Sequence, residues 1–135
     1  MGGDEKHMVL VVDDEPDAVE FVRAVMEEDG YEVTSASNGA ECKRLLKKAT
    51  PDLLTLDVNM PGEAGFYVLR DLKADPRTKD MPVIMLTGVG KESGIPFASK
   101  DLKEFVGCEP DAYLEKPVDP GYLLQVARRL LGGEE

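Results

Sequence analysis

The chain has 135 residues, which is most simply one domain, and 42% of them are apolar. Sixteen Lys and Arg residues against 27 Asp and Glu residues give a formal net charge of −11, which argues against direct binding of nucleic acid or an anionic membrane. No stretch approaches the roughly 20 apolar residues of a membrane span. The charged N-terminus MGGDEKH is not a secretory signal, and the two cysteines match no metal spacing, so free thiols and a cytoplasmic location are expected.

Five short apolar runs have the length and composition of buried strands, and each is followed by a segment of helical periodicity. Continuous runs such as VLVV and VIML are typical of parallel strands that are buried on both faces. The predicted strands cover residues 8–12, 31–36, 53–57, 82–87 and 112–117.

The helices between the strands are marked by their ends as well as by their apolar stripes. In chain order the signals are Pro16 and Gly30 at the two ends of the first helix, the capping pair Asn38 and Glu41 of the second, Asp75-Pro76 after the third, a stripe at 97–106 for the fourth, and Asp119-Pro120 before the fifth. Five βα units predict an α/β fold, a single doubly wound (βα)5 domain with a parallel five-stranded sheet. Residues 1–7 are expected to be a flexible tail, 8–131 the domain and 132–135 a C-terminal tail.

Polar residues stand at the carboxyl ends of four predicted strands, and ligands bind beyond that edge of an open parallel sheet. Taken singly, each has a structural explanation, such as a helix cap for the first acids or a turn for the central one. Their joint occurrence at one edge is better explained by a functional site. The residues are Asp13 and Asp14 after the first strand, Asp57 at the end of the third, Thr87 at the end of the fourth and Lys116 at the end of the fifth.

The chemistry of this group follows from its charge. Three clustered carboxylates repel one another, and a divalent cation relieves the repulsion; Mg²⁺ prefers such oxygen ligands together with water and phosphate. A carboxylate can also act as a nucleophile and become an aspartyl phosphate. Phosphoryl transfer needs mainly alignment and neutralisation of charge, which Mg²⁺ and Lys116 would supply. The hydroxyl of Thr87 can donate to a phosphoryl oxygen, and Gly88 leaves room for the incoming group.

The stretches VVDDEPD, LDVNMPGEAGF, VIMLTG and AYLEKP follow one another in this order across about residues 8–131. Together they resemble the receiver domain of response regulators in bacterial two-component signalling. The resemblance implies a flavodoxin-like strand order of 2-1-3-4-5. It also implies a sensor histidine kinase or phosphotransfer protein as the phosphodonor, a protein-interaction face that phosphorylation switches, no enzymatic activity beyond the chain's own phosphorylation and dephosphorylation, and no output domain in this chain.

The resemblance assigns roles residue by residue. Asp57 matches the phosphoacceptor, and Asp13 and Asp14 match the acid pair that organises Mg²⁺. The other matches are the backbone carbonyl of Asn59 as a metal ligand, Thr87 with Gly88 and Lys116 as the phosphoryl-binding residues, Tyr113 as the switch aromatic, Pro117 after a cis peptide bond, and Met60, Pro61 and Gly65 in the loop after the phosphorylation site. One departure is a segment between Thr87 and Lys116 that is longer than in typical members by about two helical turns; the extra length lies in residues 88–100.

Two other classes of function fit parts of the same pattern. A Mg²⁺-dependent phosphatase could use Asp57 as its nucleophile, but haloacid-dehalogenase-like phosphatases have a second Asp where this chain has Asn59. A flavodoxin-like FMN-binding module would need a loop that accepts phosphate after the first strand, and DDEPD would repel phosphate. The receiver domain is therefore the preferred interpretation.

Overall fold

The computed structural model describes residues 7–58, 65–87 and 110–132. Within these ranges the chain forms five strands and four helices. The strands are β1 (Met8–Val12), β2 (Glu32–Ala36), β3 (Leu53–Asp57), β4 (Val83–Thr87) and β5 (Ala112–Glu115), and the helices are α1 (Pro16–Glu28), α2 (Gly39–Lys48), α3 (Gly65–Ala74) and α4 (Pro120–Leu130). The helix expected at 97–106 and the long segment 88–100 lie outside the described residues. Among the described helices, none is both long and apolar enough to cross a membrane.

All five strands are parallel and lie in the order β2-β1-β3-β4-β5, so the predicted doubly wound α/β fold and its strand order are confirmed. The register aligns the strand ends, since Val12 pairs with Leu56, Asp57 with Leu86 and Thr87 with Glu115. The residues at and just beyond these ends therefore meet at one edge of the sheet, as parallel pairing requires.

The sheet is covered on both faces, which explains why its strands are almost continuously apolar. Alternate residues of β3 point to opposite faces, so Leu54 and Leu56 enter the core layer beneath α2 and α3, whereas Leu53 enters the layer beneath α1 and α4. By the same alternation, Thr55 and Asp57 belong to the α1 and α4 face.

The helix ends follow the sequence signals closely. The side chain of Asn38 accepts a hydrogen bond from the backbone N–H of Glu41 at 2.8 Å, and the Glu41 carboxylate accepts one from the backbone N–H of Ser37. Asp119 caps α4 by accepting from the N–H of Tyr122 at 2.8 Å. Gly30 follows α1 with a φ of 95°, which glycine adopts without strain. These local bonds fix where the elements begin and end.

The two residues at the expected tail boundaries both contact the domain. The carbonyl of His7 accepts a hydrogen bond from the N–H of Glu32 at 2.9 Å, and its imidazole lies 3.6 Å from the carboxylate of Asp52. The N–H of Gly132 donates to the carbonyl of Arg129 at 3.2 Å. His7 and Gly132 are therefore each hydrogen-bonded to a residue of the domain.

One buried polar group stands out against this well-paired framework. Thr55 is 0% exposed, and its hydroxyl has no hydrogen-bond partner within the described parts of the chain. An unpaired buried hydroxyl loses its hydration without compensation and so destabilises the folded state.

Replacing Thr55 by Val is expected to raise the free energy of unfolding by about 1 kcal/mol, because Val keeps the shape and removes the unpaired hydroxyl. Thr78→Val is the matched control. Thr78 is also buried, at 1% exposure, but its hydroxyl donates to the carbonyl of Leu72 at 2.6 Å, so its replacement should lower stability. Urea unfolding of both variants measures the difference. Destabilisation by Thr55→Val would contradict the assignment of an unpaired hydroxyl.

Candidate functional site

Three carboxylates converge at the carboxyl edge of the sheet. Asp13 and Asp14 directly follow β1, and Asp57 is the last residue of the neighbouring β3. Carboxylate oxygens of the three residues all lie within 4.8 Å of one another. Asp13 and Asp57 are only 2% and 5% exposed, whereas Asp14 is more open to solvent. The cluster is thus buried on one side and accessible on the other.

Lys116, which follows β5, bridges the two buried acids. Its Nζ donates to Asp57 Oδ1 at 2.7 Å and to Asp13 Oδ2 at 3.2 Å. The lysine backbone is held beside the end of β4, because its N–H donates to the carbonyl of Thr87 at 2.7 Å. The peptide bond between Lys116 and Pro117 is cis. The ends of β1, β3 and β5 are therefore joined by one ammonium group.

Local hydrogen bonds also account for the position of Asp13. Its backbone N–H donates to the carbonyl of Ala36 at 3.1 Å, which extends the pairing of β1 and β2 by one residue. Its Oδ1 accepts from the N–H of Glu15 at 3.0 Å. The residue before α1 is Glu15, which makes no side-chain cap, so Asp13 braces the turn before α1 without capping the helix.

The charges in the cluster do not balance. When all are ionised, three carboxylates and one ammonium leave 3 − 1 = 2 uncompensated negative charges. Burial and the nearby charges of Asp13 and Asp14 raise the pKa of Asp57 to about 6, although its hydrogen bond to Lys116 opposes the rise. Burial alone would lower the pKa of Lys116, but its bonds to Asp57 and Asp13 outweigh burial and raise it.

The donor set suits a hard divalent cation. It consists of carboxylate oxygens, which Mg²⁺ prefers, and it lacks the thiolate and imidazole ligands that favour zinc or copper. A charge of +2 would also offset the surplus of the cluster. Asp13, Asp14 and Asp57 therefore form a group that can hold a metal ion.

The remaining predicted site residues are placed as follows. Thr87 is the last residue of β4 and is partly exposed, next to the pairing partner of Asp57. Tyr113 lies in β5, paired with Met85, and packs half-buried against the core layer beneath α2 and α3. Asn59 and Gly88 lie outside the described residues, as do Met60 and Pro61.

Gly65 supports the site in a way that its sequence context did not reveal. It is the first residue of α3, and its N–H donates to the carbonyl of Val58 at 2.7 Å. A Cβ atom at this position would lie 2.3 Å from the backbone carbonyl oxygen of Asp57. The helix can therefore pack directly on the backbone of Asp57 only because residue 65 has no side chain.

Sequence comparison agrees with this geometry. Residues 9–128 match the sequence model of the response regulator receiver domain family. The chain belongs to this family. The receiver domain is 33% identical over 125 residues to protein PilH of Pseudomonas aeruginosa, a match that covers 93% of this chain and 98% of PilH. It is 35% identical over 123 residues to the DNA-binding dual master transcriptional regulator RpaA of Synechocystis, and it spans 48% of the length of RpaA.

Solved structures give the same result. The crystal structure of the chemotaxis response regulator CheY4 of Vibrio cholerae superposes with a TM-score of 0.78 at 31% identity, covering 93% of this chain and 99% of CheY4. The receiver domain is therefore a module of two-component signalling, as its motifs predicted, and the phosphatase alternative is not favoured. Receiver domains typically bind Mg²⁺ at an acidic cluster, and the acidic cluster described above has the composition for it.

Replacing Gly65 by Ala is expected to lower the free energy of unfolding by about 1–3 kcal/mol, because the added methyl group overlaps the Asp57 carbonyl and either β3 or α3 must move. Gly121→Ala is the matched control, since Gly121 also lies in the first turn of a helix but its Cβ would meet only Asp119 Oδ2, at 3.5 Å. The control should be neutral or slightly stabilising. Chemical unfolding tests this, and similar losses in both variants would contradict the steric explanation.

Proposed function

We propose that Asp57 accepts a phosphoryl group from a sensor histidine kinase or a phosphotransfer protein in a Mg²⁺-dependent reaction, and that this switches a protein-interaction face. The observation that carries the proposal is the buried Asp57 carboxylate in contact with Lys116 and clustered with two further acids at the open edge of the sheet. Membership of the receiver family supports a histidine-containing phosphodonor.

The step is a nucleophilic displacement at phosphorus. Lys116 bonds Asp57 Oδ1, so Oδ2 is the oxygen available to attack. A new P–O bond forms to Asp57 while the P–N bond to the donor imidazole breaks, and the imidazole leaves with the electron pair and takes up a proton. Lys116 keeps the carboxylate oriented and offers positive charge to the phosphoryl oxygens. Mg²⁺, when bound, neutralises phosphoryl charge and favours the ionised form of Asp57.

Each remaining site residue has a proposed part in this reaction. Asp13, Asp14 and the backbone carbonyl of Asn59 would hold the Mg²⁺ ion together with Asp57. Thr87 would donate its hydroxyl to a phosphoryl oxygen, and Gly88 would leave space for the group. Tyr113 would turn inward as Thr87 moves, which shifts the population of two conformations of the surrounding face. Pro117, which follows Lys116 through a cis peptide bond, would have a structural part.

For the biological output we propose only the kind of partner that would receive the signal. PilH has nearly the length of this chain, whereas RpaA is about twice as long and is described as DNA-binding. The acidic charge of the present chain, −11, favours output through a protein partner over direct contact with nucleic acid or membrane. We place this exchange in the cytoplasm, in keeping with a chain that has only two cysteines at no metal-binding spacing.

Incubation with Mg²⁺ and a small phosphodonor is expected to add one phosphate per chain in a linkage that is labile to hydroxylamine, as acyl phosphates are. Asp57→Asn should remove the label because an amide is a poor nucleophile. Intact-mass spectrometry and peptide mapping measure the site. Omission of Mg²⁺ should reduce the rate.

Asp80→Asn is the control for the loss of one carboxylate, because Asp80 is exposed in the turn before β4 and far from the cluster. It should be labelled as the wild-type chain is. Equal labelling of Asp57→Asn and wild type would refute Asp57 as the acceptor. Sustained release of phosphate from simple phosphate esters would favour the phosphatase.

A further inference from the structure

The surface of this acidic chain contains one region of opposite charge. Helix α2, helix α3 and the turn as far as residue 80 carry eight basic and four acidic residues, a net charge of 8 − 4 = +4, so the rest of the chain carries −11 − 4 = −15. The basic residues are Lys43, Arg44, Lys47, Lys48, Arg70, Lys73, Arg77 and Lys79, and the acidic ones are Glu41, Asp71, Asp75 and Asp80. Positive charge is thus concentrated on one side of the sheet.

A cleft of about 200 Å³ runs between α2 and the end of α3, and we call it the basic groove. The charged residues that line it are Lys43, Lys47, Asp71, Asp75 and Arg77. Both carboxylates are occupied: Asp71 accepts from Lys43, and Asp75 accepts from the backbone N–H of Arg77 at 2.9 Å and lies 3.8 Å from its guanidinium. Within the described chain Lys47 has no carboxylate partner, and neither has its neighbour Lys48.

Interaction with a helix dipole explains only part of this positive surface. Lys47 and Lys48 are in the last turn of α2, where cations interact favourably with the helix dipole. The dipole does not account for Arg77, which lies on a different element and lines the same groove. Three cations and two carboxylates line the groove, a net charge of 3 − 2 = +1, and the exposed Lys47 is the lining cation without a carboxylate partner in the described chain.

The basic groove lies away from Asp57. Helix α2 begins just after β2 ends, near the carboxyl edge of the sheet, and runs back so that Lys47 and Lys48 lie at the opposite edge. The turn that contains Arg77 precedes β4 and is therefore at that same opposite edge. An occupant of the groove would leave the acidic cluster open to a phosphodonor.

We propose that the basic groove docks an acidic segment of a partner protein, with carboxylate side chains that pair with Lys47 and Arg77. A short acidic peptide fits better than a nucleic acid, because a nucleic acid carries a negative charge at every phosphate along its length and would also face the acidic remainder of the chain. The net negative charge of the remaining sequence would disfavour binding of an acidic segment away from the groove.

The test is binding of a fluorescently labelled synthetic peptide that contains a run of glutamates, measured by anisotropy with the full chain at low salt. Wild type is expected to bind, and added salt should weaken binding because the contacts are at the surface. Lys47→Glu should weaken it by about fivefold or more, the size of effect that surface charge interactions support. Asp57→Asn should bind as wild type does, which separates this proposal from the phosphoacceptor role of Asp57.

Arg129→Glu is the matched control: it changes the net charge by the same amount, and Arg129 is likewise exposed in the last turn of a helix, α4, on the other face of the sheet. It should leave binding unchanged. Amide NMR shifts in wild type on addition of the peptide should concentrate in α2 and residues 75–79, which requires no variant to fold. Equal weakening by both variants, absence of peptide binding, or tighter binding of duplex DNA than of peptide would overturn the proposal.

Discussion

The functional edge of this domain is organised by one electrostatic constraint: three carboxylates lie within 4.8 Å of one another and are partly compensated by a single lysine. Lys116 joins β5 to the acids that follow or end β1 and β3, so it couples the two halves of the sheet. It offsets only one of three negative charges. Burial is the largest cause of the raised pKa of Asp57, and the nearby charges of Asp13 and Asp14 add to it. A bound divalent cation would offset the two surplus negative charges, and together with Lys116 it would attract the negative charge of an incoming phosphoryl group.

The fold supplies this arrangement by backbone pairing and close packing. Parallel registers bring the strand ends to one edge, and Gly65 lets α3 rest on the carbonyl of Asp57. Buried layers pack on both faces of the strands that carry the carboxylates, which favours their close approach. The same architecture divides the surface, since the acidic cluster and the basic groove lie at opposite edges of the sheet and are available at the same time.

Much of this could be predicted from the sequence because the signals are local and repeated. Apolar strands with helical stripes between them predicted the five parallel strands and the four helices that the structure describes, and strand-end polar residues predicted the convergence of Asp13, Asp57 and Lys116. Contacts that depend on how the helices and strands pack against one another could not be predicted from these local signals. The close packing of Gly65 depends on the path of α3, and the unpaired hydroxyl of Thr55 depends on which face of β3 it occupies. Asp71 of α3 pairs with Lys43 of α2, and Lys47 has no carboxylate partner in the described chain; this choice depends on the distance between the two helices.

Burial and the uncompensated charge of the acid cluster together disfavour the ionised form of Asp57, and a divalent cation would offset that charge. The most direct measurement is the pH titration of the Asp57 side-chain carboxyl ¹³C shift, with and without Mg²⁺. Without metal the inflection is expected near the raised pKa of about 6, and with Mg²⁺ it should move to lower pH because the cation favours the ionised form. An inflection near the ordinary aspartate value without metal, or one that Mg²⁺ leaves unchanged, would contradict the account.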